Sequence, residues 1–258
     1  MNSENIFPIT DFDPDRDAII RPFMIETPPD YPELVVMCFF KEVVEKVAKD
    51  FGAKTVYVGK SEVGDVPYYE MTYDGVRLGF FQAMVGAPLA VGFMEKAIHM
   101  GSKKFIACGG CGVLNPELAV GHLVIPTAAV RDEGTSYHYL APAFEVALHP
   151  KVVRQIENVV KAEGVEYLLT KTWTTDAFYR ETRGRVARYR QAGCDCVEME
   201  ASAFAAVAEF YGVEFGTLLY GGDVVHADGW DHRGWNNRAD IRENLFWLAV
   251  KACISLKD

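Results

Sequence analysis

The hydrophobic residues of the chain recur at two spacings that alternate along the sequence. In residues 39–52, Val43, Val44 and Val47 follow the helical spacing, and Gly52 supplies a residue suited to ending a helix. The same spacing predicts further helices over residues 88–101, 149–164 and 239–256.

Runs of β-branched and aromatic residues lie between these helices. They predict strands at 54–59, 104–108, 122–130, 166–175, 194–198 and 214–220. Residues 68–86 predict a hairpin with its turn at 73–75. Because strands and helices interleave, the pattern predicts one α/β domain over residues 1–258 with a buried, mixed sheet, in which residues 1–32 form an N-terminal extension.

Composition and charge narrow the classes of partner. Half of the 258 residues are hydrophobic, which suits one large domain, and the net charge of −10 disfavours nucleic acid or an anionic membrane surface as partner. No apolar run reaches the length of a membrane span. The first residues have neither a basic nor an apolar segment of the secretory type, so a signal peptide is not expected and a cytoplasmic location is.

Two cysteine pairs raise the question of a metal. Cys108 and Cys111 form C-x-x-C, and Cys194 and Cys196 form C-x-C, so the four thiols could hold an ion together. The spacing matches no standard zinc pattern, and the six histidines form no metal-binding motif. We therefore expect free thiols, no metal and no cofactor. The absence of G-x-S-x-G leaves a serine hydrolase without support.

Three stretches leave predicted strands where ligands of α/β sheets bind, beyond the carboxyl ends of the strands. The first is C-G-G-C-G, in which Gly109, Gly110, Cys111 and Gly112 offer either a tight turn or a nest of backbone amides for an oxyanion or a sugar hydroxyl. It matches neither a dinucleotide fingerprint nor a Walker loop.

The second stretch is E-M-E, at the change from strand to helix. Acidic side chains there are typical of a helix N-terminus. Glu198 and Glu200 are also suited to a sugar, because a carboxylate accepts both hydroxyls of a vicinal diol, and Met199 is suited to packing on the sugar face. The pattern alone leaves both interpretations open.

The third stretch is G-G-D, which ends in Asp223. This residue is either a loop cap or a general acid at the mouth of the sheet. Phe178 is either a core residue or a platform for a planar base, and Arg180 and Arg183 could donate to base carbonyls or ring nitrogens.

These segments together resemble the nucleoside phosphorylases of the uridine phosphorylase and purine nucleoside phosphorylase type. The resemblance covers residues 33–256 and is most specific in V-E-M-E-A and the G-G-D that follows it. The glycine-rich segment from Cys108, and T-T-D-A-F-Y before Arg180, are similar to further family segments.

The resemblance implies a fold, a set of roles and a pair of ligands. The fold is a three-layer α/β/α structure around a mixed, barrel-like sheet, and members assemble as dimers, trimers or hexamers. By analogy, Glu198, Met199 and Glu200 contact ribose, Phe178 stacks on the base, and Asp223 is a purine-type general acid. The ligands are a nucleoside and phosphate as co-substrate.

The chain departs from the family where phosphate binds. Phe39 stands where the family has a glycine, and Val43 and Ala107 stand where it has arginines. Gly110 replaces a threonine, and Pro8 falls where some members have a histidine. The residues that read uracil in uridine phosphorylases would fall near Thr182 and Gly184.

Three functions follow in order of preference. Phosphorolysis to a free base and (deoxy)ribose 1-phosphate is expected first, with a rebuilt anion site drawn from Arg21, Lys41, Arg131 and Arg180. A hydrolytic nucleosidase of the same superfamily is the alternative, because water needs no phosphate arginines. A non-catalytic nucleoside-binding protein comes third, and the acid at position 223 speaks against it.

Overall fold

The computed structural model describes residues 7–226 and 229–257. Strands and helices alternate through most of this part of the chain. The strands are Leu34–Cys38 (β1), Lys54–Gly59 (β2), Val66–Tyr73 (β3), Val76–Gln82 (β4), Lys104–Val113 (β5), Leu123–Asp132 (β6), Glu145–Ala147 (β7), Tyr167–Thr175 (β8), Cys194–Glu198 (β9), Glu214–His226 (β10) and Gly229–Asp231 (β11). The helices are Lys41–Asp50 (α1), Ala87–His99 (α2), Pro150–Ala162 (α3), Arg183–Gln191 (α4), Ala201–Tyr211 (α5) and Ala239–Ile254 (α6).

The predicted helices at α1, α2, α3 and α6 are confirmed to within a few residues. In α1, the predicted face of Val43, Val44 and Val47 is buried, and Gly52 follows the helix with φ 57°. The hairpin turn is also confirmed, since Tyr73 pairs with Val76 across two residues of positive φ. Helix α4 was not predicted, because its sequence is rich in arginine and has only a small apolar face.

The mixed sheet closes on itself. Strand β5 pairs with β10, β10 with β6, β6 with β8, β8 with β9, and β9 returns to β5. Strands β1, β4, β3 and β2 extend the sheet from β5. The expected barrel-like, mixed sheet is therefore confirmed as a five-stranded ring that is extended by four further strands.

Helices cover both faces of the sheet, as the neighbours of one strand show. Phe215 in β10 packs against Phe204 of α5, with ring centroids 5.4 Å apart. The next residue, Gly216, faces the other way, where a Cβ would lie 2.5 Å from Val152 of α3. Since successive residues of a strand point to opposite faces, α5 and α3 form the two outer layers of an α/β/α arrangement.

The interior of the ring holds a small apolar cluster. Cys111, Val124, Cys196 and Leu219 come from four of its five strands and are buried together. Cys108 belongs instead to the main core, beside Cys38 in the adjacent strand. The four-thiolate metal site is therefore not assembled, because the side chains at positions 108 and 111 lie in different clusters.

Two strands run further than the sequence predicts. Strand β5 was expected to end at Cys108, with the glycine-rich stretch as a loop, but it continues to Val113 and its backbone pairs with β10 and β9. The prediction of a nest of free backbone amides is thus wrong. The glycines have another use, because a Cβ on Gly109 would lie 2.7 Å from the Phe39 ring.

Strand β10 was likewise expected to stop at its two glycines. It continues to His226, and between Gly221 and Val224 its register against β5 shifts. Two residues of β10 there oppose one residue of β5, which defines a β-bulge. Asp223 therefore lies in a bulged strand and not in a loop.

The predicted N-terminal extension joins the core before the sheet begins. The Tyr31 side chain is buried, and its hydroxyl donates to the carbonyl of Tyr69 at 3.0 Å and to that of Phe80 at 3.2 Å. Further upstream, Arg16 stacks on the Phe210 ring. Residues 1–6, within the predicted extension, and residue 258 lie outside the described residues. Across the described ranges, no helix combines the length and apolarity that a membrane span requires.

Candidate active site

Glu198, at the end of β9, is buried and has four hydrogen-bond donors. Its Oε1 accepts the hydroxyls of Thr174 at 2.6 Å and Thr172 at 3.3 Å. Its Oε2 accepts the backbone N–H groups of Glu200 at 2.7 Å and Ala201 at 2.6 Å, at the start of α5. Burial raises the pKa of Glu198, and these donors oppose the rise. Glu198 thus fixes the turn from strand to helix.

Glu200 begins α5 and carries the second carboxyl of the E-M-E segment. It is 6% exposed, and its Oε1 accepts the backbone N–H of Gly86 at 2.5 Å. Burial, with the Glu198 charge as the next cause, raises the pKa of Glu200 to about 8. Gly86 has φ 98° and directly precedes α2, so a left-handed residue brings the two helix starts together. Met199 is half-buried between the two glutamates.

Asp223 lies across β5 from this pair. Gly112 of β5 pairs with Val197 on one side, and the bulge of β10 lies on its other side. A Cβ on Gly112 would meet Val197 at 2.9 Å, Val225 at 3.6 Å and Oδ1 of Asp223 at 3.7 Å. The missing side chain at position 112 therefore leaves room for Asp223 to turn toward the end of β9 that carries Glu198.

Two groups that the sequence analysis missed adjoin Asp223. Trp230 in β11 donates its indole N–H to Oδ2 of Asp223 at 2.6 Å. Burial, followed by the Asp223 charge, raises the pKa of Glu181 to about 7. Only the position of Glu181, three residues after Phe178, could have drawn attention to it in the sequence. Trp230 lies seven residues beyond the acid and gave no sequence signal.

The candidate base-binding residues follow the end of β8, where Thr174 pairs with Glu198. Phe178 is 50% exposed and lies 4.1 Å from the ring of Tyr179, centroid to centroid. Arg180 and Arg183 are exposed on the same segment. An exposed aromatic ring beside the carboxyl cluster is available to a planar ligand, so the core interpretation of Phe178 is wrong.

Of the residues expected to bind phosphate or water, Gly112 lies beside Asp223, whereas Gly109, Gly110, Cys111 and Arg131 contact other parts of the protein. Gly110 faces Tyr220, and the Cys111 thiol donates to the Tyr220 carbonyl at 3.4 Å. Arg131 is buried and donates to Ser136 at 2.9 Å and to the carbonyls of residues 140 and 141. Its guanidinium thereby holds the segment that follows β6.

The other positions expected to bear on phosphate are apolar or engaged at the surface. Val43 and Ala107 are buried in the main core, and Phe39 packs against it. Arg21 forms an exposed pair with Asp17 at 3.8 Å, and Lys41 with Glu45 at 3.7 Å. Of the cations proposed to rebuild the anion site, Arg180 is the one on the segment that follows β8 toward Glu198.

Among the described residues, no group of three or more histidine, cysteine, aspartate or glutamate side chains is arranged to hold a metal ion. What the structure assembles is a set of carboxyls at one end of the closed ring: Glu181, Glu198, Glu200 and Asp223. An exposed aromatic ring and two arginines lie beside them. This combination suits a neutral sugar bearing a planar base, since carboxylates accept hydroxyl donors and rings stack on bases.

The chain belongs to the phosphorylase superfamily, whose family model matches residues 33–254. It is 28% identical over 147 residues to a guanosine phosphorylase of Halorubrum lacusprofundi, covering 57% of this chain and 61% of that protein. It is 29% identical over 159 residues to a uridine phosphorylase of Thermococcus kodakarensis, covering 57% of each. These alignments thus span about three fifths of the relatives' length.

A solved structure shares the fold across nearly the whole chain. The purine nucleoside phosphorylase from Toxoplasma gondii, in complex with immucillin-H, superposes with a TM-score of 0.77 at 21% identity. The match covers 91% of this chain and 95% of that one. The resemblance seen in the sequence is thereby confirmed at the level of family and fold.

Proposed function

We propose that the protein cleaves the N-glycosidic bond of a nucleoside and transfers the sugar to phosphate, releasing a free base and (deoxy)ribose 1-phosphate. The observation that carries the proposal is the placement of Glu200 and Asp223 at one end of the closed sheet ring, in a chain of the phosphorylase superfamily. The names of the relatives, guanosine and uridine phosphorylase, support phosphate as the acceptor.

On the sugar side, Glu200 is the group that accepts the 2′- and 3′-hydroxyls. The diol supplies two donors to the carboxylate, which favours its charged form against the effect of burial. Glu198 positions Glu200 through its backbone N–H, and Met199 packs against the ring. As the C1′–N bond lengthens, the sugar gains positive charge, which nearby carboxylates stabilise.

On the base side, Phe178 stacks on the ring system, and Arg180 and Arg183 contact its polar edge. Asp223 is a catalytic carboxyl at this end of the site, where the departing base must receive a proton, since a base nitrogen leaves more easily when it is neutralised. Trp230 donates its indole N–H to Oδ2 of Asp223, so Oδ1 is the oxygen left to face the base. The reaction needs phosphate as a co-substrate and no cofactor.

Hydrolysis is the second candidate, and one observation favours it. The positions at which the family carries its phosphate glycine and arginines are Phe39, Val43 and Ala107, all in or against the apolar core. A water molecule as acceptor would not need those cations. In that case the same sugar and base contacts would release free ribose.

A panel of nucleosides assayed with and without phosphate tests the proposal. Inosine, guanosine, adenosine and uridine are incubated with the enzyme, and the free base and the sugar product are identified. Phosphorolysis predicts base release that depends on phosphate, together with ribose 1-phosphate. Free ribose at a phosphate-independent rate would establish hydrolysis, and binding without turnover would establish a nucleoside sensor.

We propose further that the protein acts as a cytoplasmic homo-oligomer. Large apolar side chains are exposed around the candidate site, among them Val85, Phe178, Tyr179 and Trp230, and such surfaces are typical of subunit contacts. The six cysteines are free and buried, which suits a reducing compartment. Sedimentation of the pure protein distinguishes a dimer, trimer or hexamer from a 28.8 kDa monomer.

A further inference from the structure

The segment between β8 and α4 turns a single side chain inward. Within residues 178–184, Glu181 is half-buried, whereas the other six residues are exposed. The backbone there makes a short turn, in which the N–H of Glu181 donates to the Phe178 carbonyl at 3.3 Å and that of Thr182 to the Arg180 carbonyl at 2.8 Å. An acidic side chain on an exposed turn gains nothing from burial by itself, so its inward position needs a reason.

Helix α4 brings this turn over the face of β10 that carries Asp223. Val186 of α4 lies in a buried cluster against which Val225 packs. Val225 and Asp223 point to the same side of β10, since both lie within 4 Å of the Cβ that Gly112 lacks. Glu181 precedes α4 by two residues and so reaches the same face. Burial and, as the second cause, the charge of Asp223 raise the pKa of Glu181 to about 7, so the two carboxyls interact.

The two carboxyls have different hydrogen-bond surroundings. Oδ2 of Asp223 accepts the Trp230 indole N–H at 2.6 Å, so one of the two oxygens of Asp223 is engaged by the protein. Two carboxyls in one site favour a state in which they share a single proton, because two neighbouring negative charges repel. Because burial disfavours the charged form of Glu181, Glu181 is the member of the pair suited to carry that proton.

We propose that Glu181 and Asp223 act as a carboxyl pair at the base end of the site, in which Glu181 carries the proton that the leaving base receives. This role rests on the proposed function. The C1′–N bond breaks with its electron pair on the base, a base ring nitrogen takes the proton from Glu181, and an oxygen of the acceptor forms the new bond to C1′. Glu181 is left as a carboxylate and regains a proton from solvent after the products leave.

Glu181→Gln is the direct variant, because it keeps the shape of the side chain and removes the transferable proton. Kinetics are measured from pH 5 to 9 with inosine and with 4-nitrophenyl riboside, whose leaving group departs without protonation. For inosine, kcat/KM of the wild type is expected to fall as the pH rises through about 7. In Glu181→Gln, kcat/KM at pH 6 is expected to be about 10²-fold lower, and the fall above pH 7 is expected to disappear. The riboside is expected to change less than about threefold.

The pH profiles distinguish Glu181 from the other charged groups near the site. Glu200 has its pKa raised to about 8, but it acts as a carboxylate, so its limb rises with pH where the Glu181 limb falls. Arg180 and Arg183 flank Glu181 on its own segment, and Asp223 faces it from β10. Glu166→Gln, at an exposed glutamate ahead of β8, is the matched control and is expected to keep wild-type rates and both limbs.

Asp223→Asn tests the coupling between the two carboxyls. Without the Asp223 charge, the Glu181 carboxyl is expected to ionise at lower pH. Its titration, followed by carboxyl ¹³C NMR, should therefore move to lower pH. The falling limb of any residual activity should move in the same direction. The resonance is assigned by its loss in Glu181→Gln. This readout needs no catalysis.

The possible outcomes separate the role of Glu181 from the function itself. A wild type that cleaves no nucleoside overturns the proposed function. A wild type that cleaves inosine, beside a Glu181→Gln variant with an unchanged rate and pH profile, overturns the role of Glu181 alone. A Glu181 resonance that titrates at the ordinary pH of a glutamate, and is unaffected by Asp223→Asn, overturns the carboxyl pair even if the activity variant fails to fold.

Discussion

Glu198 holds Glu200 in place through one oxygen: Oε2 of Glu198 accepts the backbone N–H of Glu200 at 2.7 Å. The same oxygen accepts the N–H of Ala201, while the other accepts two threonine hydroxyls. The two glutamates of the E-M-E segment thus differ in role. Glu198 binds protein groups with both of its oxygens, and Glu200 is the residue that it positions.

Replacing Glu198 should therefore cost stability. Glu198→Met keeps the length of the side chain and leaves two buried backbone N–H groups, those of Glu200 and Ala201, without an acceptor. Each such group costs about 1–3 kcal/mol, so we expect the free energy of unfolding to fall by about 2–6 kcal/mol in urea titrations. A loss below about 0.5 kcal/mol would show that the turn is held by other contacts.

Replacing Glu200 should instead reduce catalysis. Glu200→Gln keeps an acceptor for the Gly86 N–H but loses the charge that binds the diol and opposes the positive sugar. Hydrogen bonds to charged groups contribute about 1.5–3 kcal/mol each, so kcat/KM for a nucleoside is expected to drop by about 10²-fold or more. Values within a few-fold of the wild type, or an equal loss in the exposed control Glu166→Gln, would refute this role.

The raised pKa of Glu200 also predicts a pH dependence of stability. The folded protein binds this proton more tightly than the unfolded chain does. The contribution of this protonation to the free energy of unfolding is therefore complete below pH 4.5 and is lost as the pH rises through about 8. The difference in unfolding free energy between the wild type and Glu200→Gln should therefore decline between pH 5 and 8, by at most about 1.4 kcal/mol per pH unit. A difference that stays flat over this range would contradict the shift.

Gly112 should tolerate no side chain. In Gly112→Ala, the new methyl would lie 2.9 Å from Cγ1 of Val197, so the Val197 side chain or β9 must shift, and the space next to Asp223 would be filled by a methyl 3.7 Å from Oδ1. We expect the free energy of unfolding to fall by about 1–3 kcal/mol. We also expect kcat/KM to fall by more than a loss of folded protein alone would explain. The matched variant Gly92→Ala, in α2 with nothing within 4 Å of the new methyl, should be as active as the wild type and slightly more stable. Equal behaviour of the two variants would contradict the close packing at Gly112.

The elements with a clear hydrophobic period were predictable. Helix α1 and the hairpin turn after Tyr73 follow from local spacing and turn chemistry, and the change from strand to helix at the E-M-E segment was visible as well. Local signals of this kind survive in the fold because nothing in the tertiary structure opposes them.

The parts that were missed depend on contacts between distant segments. The glycines near the ends of β5 and β10 suggested strand ends, yet the strands continue, and at Gly109, Gly112 and Gly221 an added Cβ would lie within 3 Å of a neighbouring side chain. Glu181 was not singled out from the sequence, because its place near Asp223 depends on the packing of α4 against Val225. Neither relationship has a signature within a short window of sequence.

Cleavage of a nucleoside in ¹⁸O-labelled water, with unlabelled phosphate present, distinguishes transfer of the sugar to phosphate from transfer to water. The measurement follows the oxygen that becomes bonded to C1′ when the base leaves. Phosphorolysis predicts ribose 1-phosphate without ¹⁸O at C1′, because the oxygen bonded to C1′ comes from phosphate. A sugar product that carries ¹⁸O at C1′, or a wild-type protein that releases no base from any nucleoside, would contradict it.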